Sequence, residues 1–402
     1  MGNRPALRIL NLAHFIDHYF MLIFPTAVLA LHKEWGMSYS DALSLGAPAF
    51  ILYAAATLPC GWLGDMFRGA TMMRVFFFGI GVSAILVGLA PDPLALMFAM
   101  AALGLFAAIY HPVATAMIVN LAERPGRELG INGVYGNLGV ALAAAVTGLL
   151  AAWISWRAAF IVPGGVAVAL GVYYLFHSRP GGGATGRDIE RPDPSPSASA
   201  QLNVFLIVGV TALFGGFVFA GVTVALPKLF EERLSAETLG IAGVGIITTA
   251  VFFTASFTQL FTGRLIDRIG PRPVLIIATG LQAPLLLAVA FLPGTLAVPL
   301  AVPLMLVIFG AIPVSSWLLG RYVGKAWRSR AYSMQFVLAL GVNAAIIPVI
   351  SGLYEQTGST STLFVILAAC SLLICMVSLR LPDNAALLRD TTSLRAAGST
   401  AA

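Results

Sequence analysis

Three ionisable side chains lie close together in the first apolar run of this 402-residue chain. His14, Asp17 and His18 are spaced by three and four residues, so on a helix they share one face. A histidine changes its charge near neutral pH, and beside a carboxyl group it can take up and release a proton. Imidazole and carboxylate groups are also ligands for transition metals. The spacing therefore predicts a site for a proton or for a metal ion.

Asp17 is the exception among 17 acidic residues, because the other sixteen fall in loops, at the ends of apolar runs or in polar tails. A carboxyl group near the centre of a membrane costs about 2.5–3.5 kcal/mol on insertion scales, and such residues usually have a function. We therefore predict proton coupling by Asp17 together with His14 or His18. A buried hydrogen-bond network that holds the first apolar run against the fifth is the structural alternative.

His111 is a second deep histidine, in the fourth apolar run, where it lies between Tyr110 and Pro112. Proline lacks an N–H group and removes a helical hydrogen bond, so we expect the helix to kink here. If folding brings this histidine to the first-run triplet, the four side chains together would suit a transition metal. The metal candidates are then His14, Asp17, His18 and His111.

The composition indicates what must position these side chains. Hydrophobic residues make up 59% of the chain and charged residues only 10%, against about 25% charged in ordinary soluble proteins. These values exclude a soluble enzyme, a nucleic-acid binder and a disordered scaffold, and they favour a polytopic membrane protein. Runs long enough to cross a bilayer number twelve. They cover about 7–31, 41–62, 71–90, 94–119, 130–152, 157–177, 203–227, 240–262, 273–292, 296–319, 331–353 and 361–380.

A polar stretch rich in Gly, Pro and Ser divides the twelve runs into two sets of six. Such a composition cannot bury a core and is typical of a flexible linker. We predict a six-helix bundle at 1–177, a linker at 178–202, a second six-helix bundle at 203–380 and a disordered tail at 381–402. The first run is longer than the apolar region of a signal peptide and is interpreted as a retained span.

The positions of the cationic residues along the chain indicate its orientation in the membrane. The formal net charge is 23 − 17 = +6, and alternating the spans places 19 of the 23 cations on the side of the N-terminus. This asymmetry is typical of the cytoplasmic side of a membrane protein, so both termini and the linker are expected in the cytoplasm of a bacterium, at the inner membrane. The excess charge is explained by orientation, so no nucleic-acid partner is expected. No GxxxxGK[ST] loop occurs, and neither an enzymatic activity nor a cofactor is predicted.

Two loops repeat a pattern of glycine, aspartate and arginine. GWLGDMFRGATMMR follows the second run and GRLIDRIGPRP follows the eighth. Both loops resemble the signature of the major facilitator superfamily, and the likeness of spans, linker and loops covers almost the whole chain. The resemblance implies an all-α fold of two six-helix bundles around a central cavity, with a cytoplasmic conformational gate. The gate residues would be Gly61, Asp65, Arg68, Gly263, Asp267, Arg268 and Arg272.

A looser likeness concerns spans 4, 5 and 6. The segments YHPVATA, GVYGNLGVALA and WRAAF are similar to those of the fosmidomycin-resistance and arabinose-efflux type of bacterial exporter. The resemblance implies efflux by an antiporter. Polar groups within the spans supply the predicted substrate cavity, which comprises His111, Tyr110, Asn137, Gln259, Trp317 and Asn343.

Together these observations predict a monomeric secondary transporter that exports a small organic compound by alternating access, with proton coupling at Asp17. Its partners would be the lipid bilayer, the small-molecule substrate and protons. One alternative is a carrier for a transition metal or another cation, which would use the histidine cluster. A second alternative is a non-transporting membrane receptor or assembly partner built on a carrier fold.

Overall fold

A computed structural model describes residues 4–122, 125–177, 198–234, 236–323 and 325–381. All regular elements in these ranges are helices. In the first half they are α1 Arg4–Met21, α2 Phe24–Glu34, α3 Tyr39–Ser44, α4 Ala47–Met66, α5 Gly69–Leu89, α6 Pro93–Ala107, α7 Tyr110–Leu121, α8 Pro125–Trp153 and α9 Ala158–His177. In the second half they are α10 Ala198–Arg233, α11 Ala236–Ser256, α12 Thr258–Ile269, α13 Pro271–Phe291, α14 Gly294–Tyr322, α15 Lys325–Thr357 and α16 Ser361–Ser378.

These helices form twelve candidate membrane spans, which confirms the predicted number and the all-α class. Four spans each consist of two helices in series: α1 with α2, α3 with α4, α6 with α7, and α11 with α12. Large apolar side chains cover the outer surface of the bundle. Phe98 and Phe176 are 71% and 77% exposed, as expected for side chains that face lipid.

Three of the four breaks have a common cause in a proline. Because proline has no N–H group, the carbonyl four residues earlier loses its helical partner. Pro25 and Pro48 are the second residues of α2 and α4, Pro112 is the third residue of α7, and the preceding helix ends four or five residues before each of them. The kink predicted at Pro112 is confirmed, with the break at Ala108 and Ile109.

Close helix contacts depend on small residues. On α8, a Cβ atom at Gly139 would collide with the backbone of Phe15 on α1. On α11, a Cβ atom at Gly245 would collide with the backbone of Ala144 on α8. Helix α8 therefore packs tightly against α1 within the first half and against α11 of the second half.

The domain boundaries stay a prediction. Helix α10 begins at Ala198, so its first turn extends into the predicted linker. The rest of that linker, residues 178–197, and nearly all of the predicted tail, residues 382–402, lie outside the described residues.

Candidate functional site

The site lies in the first half, beside the breaks of spans 1 and 4. Asp17 is one turn from the C-terminal end of α1, and His111 is the second residue of α7. Interrupted helices leave backbone polar groups free inside the membrane, and this arrangement is tolerated only where protein or a cavity surrounds it. The breaks therefore mark the polar part of the bundle.

Asp17 is fully buried and is contacted by two other spans. The hydroxyl of Tyr53, on α4, donates to Asp17 Oδ2 at 3.0 Å. Nε2 of His111 lies 3.4 Å from the same oxygen. Oδ1 has no hydrogen-bond partner within the described part of the chain. The carboxyl group thus joins spans 1, 2 and 4. Its basic partner is His111 and not one of the two histidines on its own helix.

His14 is held by α8. Its Nδ1 lies 2.7 Å from the backbone oxygen of Asn132, so the ring donates a proton to that carbonyl. The ring occupies the space left by the absent side chain of Gly136, where a Cβ atom would come within 2.6–2.9 Å of three ring atoms. With Nδ1 engaged, the Nε2 atom of His14 has no partner among the described residues.

Three histidine rings converge at this point. The ring centroids of His14 and His18 are 4.7 Å apart, and that of His111 lies 5.2 Å from the first and 5.5 Å from the second. One nitrogen from each ring can be chosen so that all three lie within 4.8 Å of one another. Folding therefore brings the three histidines together, and Asp17 joins the cluster through His111, while the metal site stays a prediction.

A hydrogen-bond network surrounds the cluster and joins spans 1, 4 and 5. The hydroxyl of Tyr110 donates to the backbone oxygen of Leu10 at 3.1 Å. The amide nitrogen of Asn132 donates to Asn11 Oδ1 at 3.0 Å and lies 2.9 Å from the Tyr110 hydroxyl. Tyr110, predicted for the cavity, is 1% exposed and acts in this network. A buried hydrogen-bond network that holds span 1 against span 5, which was the structural alternative to proton coupling, is therefore present beside the ionisable cluster.

Other predicted cavity residues lie away from the cluster. Asn137 donates to the backbone oxygen of Ser256 at 3.3 Å, so it joins α8 to α11 at the contact between the halves. Gln259 lies at the same contact, with its side-chain oxygen beside Gly133. Trp317 packs at the edge of a separate apolar cluster in the second half. The side chain of Asn343 lies outside the described residues.

The structure describes some of the residues of the predicted cytoplasmic gate. Arg68 and Arg268 are exposed, and Arg272 donates to the backbone oxygen of Leu379 at 3.0 Å. Gly61 faces Pro112 on α7, whereas Gly263 borders open space. The side chains of Asp65 and Asp267 lie outside the described residues, so the gate role stays a prediction.

The sequence alone does not point to Tyr53 and Asn132. Each is one of several polar residues in its helix, and no spacing links either of them to the first span. The available signal was burial cost, because a hydroxyl or amide group inside the membrane needs a partner. That signal does not name the partner.

The twelve candidate spans define a polytopic membrane protein with an ionisable cluster buried in its first half. The chain belongs to the Major Facilitator Superfamily, since the family model matches residues 10–242 and again residues 210–399. This match confirms the predicted superfamily and agrees with the interpretation of the chain as a transporter rather than an enzyme.

The chain is similar to several curated transporters over part of their length. It is 31% identical to the puromycin resistance protein pur8 of Streptomyces alboniger over 168 residues, which are 40% of this chain and 33% of that protein. It is 27% identical to a probable 4-methylmuconolactone transporter of Cupriavidus pinatubonensis over 279 residues, 65% of this chain and 62% of that protein. It is 30% identical to the probable sulfoacetate transporter SauU of Cupriavidus necator over 174 residues, 42% and 40% of the two chains. The chain thus matches a third to about three fifths of these relatives.

Solved structures share the fold. A bacterial homologue of the human lysosomal transporter Spinster, in an inward-facing and occupied conformation, superposes with a TM-score of 0.72 over 96% of both chains at 15% identity. A POT family transporter in complex with 5-aminolevulinic acid gives 0.74 over 93% of this chain and 95% of that one, at 14% identity. At these identities the likeness establishes the architecture alone.

Proposed function

We propose that this transporter couples the movement of a small organic compound to protons, and that Asp17 is the proton carrier. The observation that carries the proposal is the position of this fully buried carboxyl group, 3.4 Å from His111 Nε2 and beside two interrupted spans. A proton that moves between a carboxylate and an imidazole changes the charge of the pair. Because burying an unpaired charge is costly, such a change can favour one conformation over another.

The neighbours of Asp17 support a conformational effect. The pair draws on spans 1, 2 and 4, and His14 extends the cluster to span 5 through Asn132. A change of charge at Asp17 would therefore act on four of the six spans in this half. His14 and His18 are proposed as further proton-accepting groups, since each has an Nε2 atom without a partner in the described chain.

The relatives support a small organic substrate. Their names refer to puromycin, 4-methylmuconolactone and sulfoacetate, all of which are small organic compounds. Export is proposed on the likeness to a resistance protein, whereas the other names carry no direction. A monomer in a bacterial inner membrane, with cytoplasmic termini, completes the proposal, and the split of 19 cations against four supports that orientation.

Proteoliposomes with an imposed pH gradient test the coupling. Uptake of puromycin, 4-methylmuconolactone and sulfoacetate is measured together with internal pH, and proton movement is expected to accompany one of the three compounds. Asp17→Asn should abolish dependence of uptake on the pH gradient while leaving exchange of the compound down its own gradient. The exposed Asp41→Asn is the matched control. Gradient-driven uptake by Asp17→Asn equal to that of the parent protein would refute the proposal.

A cation carrier is the second candidate, favoured by the convergence of three histidine nitrogens within 4.8 Å. Imidazole suits zinc, copper, iron and nickel. Binding of Zn²⁺ or Co²⁺ to the purified protein distinguishes the candidates, with His14→Ala and His111→Ala as test variants. His177→Ala is the control, because that exposed histidine lies at the end of α9. One equivalent of metal that both test variants abolish, together with metal transport, would favour this candidate over proton coupling.

A further inference from the structure

On the side opposite the linker, five side chains from both halves form a compact group, here called the outer cluster. Its members are Lys33, Tyr39, Lys228, Glu231 and Tyr354. Lys33 is near the end of α2 and Tyr39 begins α3, so both belong to the first half. Lys228 and Glu231 are in the last two turns of α10, and Tyr354 is in the last turn of α15, in the second half.

Glu231 connects the halves through its two oxygens. Nζ of Lys33 lies 2.8 Å from Oε1 across the boundary, and Nζ of Lys228 lies 2.7 Å from Oε2 on the same helix. The side chain of Lys33 is 62% exposed, whereas that of Glu231 is 11% exposed. The carboxylate is therefore fixed in the second half, and Lys33 reaches to it from the first half.

The two tyrosines form a second connection across the same boundary. The rings of Tyr39 and Tyr354 meet edge to face, with centroids 4.8 Å apart. Nζ of Lys228 lies 4.6 Å from the centroid of Tyr39 and 5.4 Å from that of Tyr354. A cation over two aromatic rings stabilises the contact between them. Tyr39 belongs to the first half and Tyr354 to the second, so this contact also joins the halves.

Neighbouring contacts fix the end of α10 within its own half. Glu232 accepts from the backbone N–H and the hydroxyl of Thr360, the latter at 2.8 Å. Arg233 donates to the hydroxyl of Ser361 at 2.7 Å and also to the backbone oxygen of Ala290. These bonds do not cross the boundary, so they can persist when the halves move as bodies. Among the ion pairs and ring contacts of the described residues at this end, those made by Lys33 and Tyr39 cross the boundary and must break for the halves to separate.

We propose that the outer cluster is a gate that closes the transporter on the side opposite its linker. Opening breaks the Lys33–Glu231 ion pair and separates Tyr39 from Tyr354. Throughout this movement Lys228 stays paired with Glu231. The gate therefore sets how often the cavity opens to that side, whatever the coupling ion is. The inference rests on the transporter fold and not on proton coupling at Asp17.

Distances between spin labels in the full-length, substrate-free protein test the gate. Labels are placed at Asp41→Cys and Gln356→Cys, exposed positions on opposite halves, after the three native cysteines are replaced by serine. Lys33→Glu turns the ion pair into a like-charge pair. We expect the population with the longer distance to rise roughly twofold to fivefold, as an exposed ion pair allows.

Reversing the charges of all three residues distinguishes the loss of a gate from a general loss of structure. Lys33→Glu, Lys228→Glu and Glu231→Lys together restore both ion pairs with opposite signs, so the short distance should return although the cation over the rings is lost. Tyr354→Leu removes the ring contact without a change of charge and should also favour the longer distance.

Glu34→Gln is the matched control. Glu34 follows Lys33 on α2 and pairs with Arg157 at 3.2 Å, but that ion pair stays within the first half. Its substitution should leave the distances unchanged. The gate is refuted if Lys33→Glu and Tyr354→Leu both leave the distances unchanged, or if Glu34→Gln lengthens them as much as Lys33→Glu does.

Discussion

Nδ1 of His14 and the backbone oxygen of Asn132 are 2.7 Å apart, so span 1 is bonded to span 5 at the point where the ionisable cluster lies. The contact fixes the orientation of the ring, because the engaged Nδ1 carries the proton and Nε2 is left as the accepting atom. It also depends on the absence of a side chain at Gly136. The reactivity of His14 is thus determined by two residues of another helix.

Gly136→Ala should displace His14. The added methyl group would lie within 2.6–2.9 Å of the ring, so the ring must leave the Asn132 carbonyl. We expect gradient-driven transport to fall at least about tenfold, by analogy with the loss of an orienting partner at a buried histidine. Transport in proteoliposomes and the melting temperature of the purified protein measure the effect.

The control for this substitution is on the same helix. Gly130→Ala adds the same methyl group where no described atom from another part of the chain lies within 4 Å, so transport should be retained. Full transport by Gly136→Ala would show that His14 has no part in the cycle.

Tyr53→Phe should weaken the protein and its coupling together. The substitution removes the hydroxyl that donates to Asp17 Oδ2 at 3.0 Å and leaves that oxygen with His111 alone. A buried polar group that loses its partner costs about 1–3 kcal/mol, so a loss of this order in the free energy of unfolding is expected. Chemical denaturation in detergent measures it.

A double-mutant cycle identifies the origin of that loss. If the bond to Asp17 is responsible, the effects of Tyr53→Phe and Asp17→Asn are not additive. Tyr173→Phe is the control, since that tyrosine is half-exposed and stacks on His177. Additive effects of the first two substitutions would assign the loss to packing instead.

Local sequence patterns predicted the elements well because each pattern acts within one helix. The spacing of His14, Asp17 and His18 placed them on one face, and Pro112 located the break of span 4. The partners of these residues depend on how helices pack. Tyr53 contacts span 1 across 36 residues and Asn132 does so across 118 residues or more. A periodic pattern within one helix carries no information about contacts between residues so far apart in the sequence.

The same limit applies to contacts between the halves. Asn137 is predicted for the cavity because it is polar and within a span, and its bond to Ser256 across the halves has no signal in the sequence. Lys33 and Glu231 lie near span ends, and their ion pair joins positions 198 residues apart. Charge counting places a residue on one side of the membrane but does not select its partner there.

The side chain of Thr249, on α11, bonds to the backbone of α8 and offers a test of the contact between these helices. Its hydroxyl donates to the Ala141 carbonyl at 2.6 Å and accepts from the Ala145 N–H at 2.8 Å, so it lies between two groups that normally bond within α8. Thr249→Val keeps the shape and removes both bonds. A loss of about 1–3 kcal/mol in the free energy of unfolding is expected, because buried polar groups lose a partner.

Thr254→Val is the control for the helical contact, since the exposed Thr254 hydroxyl bonds only back to Ala250 on its own helix. Its effect on unfolding should be within about 0.5 kcal/mol. An equal loss from both substitutions would mean that the bridge to α8 contributes nothing specific.

Pro112→Ala tests whether the break of span 4 positions the site. Alanine supplies the N–H group that proline lacks, so the Ala108 carbonyl can regain its helical bond and α6 can continue into α7. A straighter span would move His111 away from Asp17, and gradient-driven transport should fall about tenfold or more while the folded fraction is maintained or rises. Transport assays and thermal unfolding measure both quantities. Pro163→Ala is the control, because that proline lies inside the unbroken helix α9, away from the cluster. If Pro112→Ala transports as the parent protein does, the break is a packing feature and the position of His111 does not depend on it.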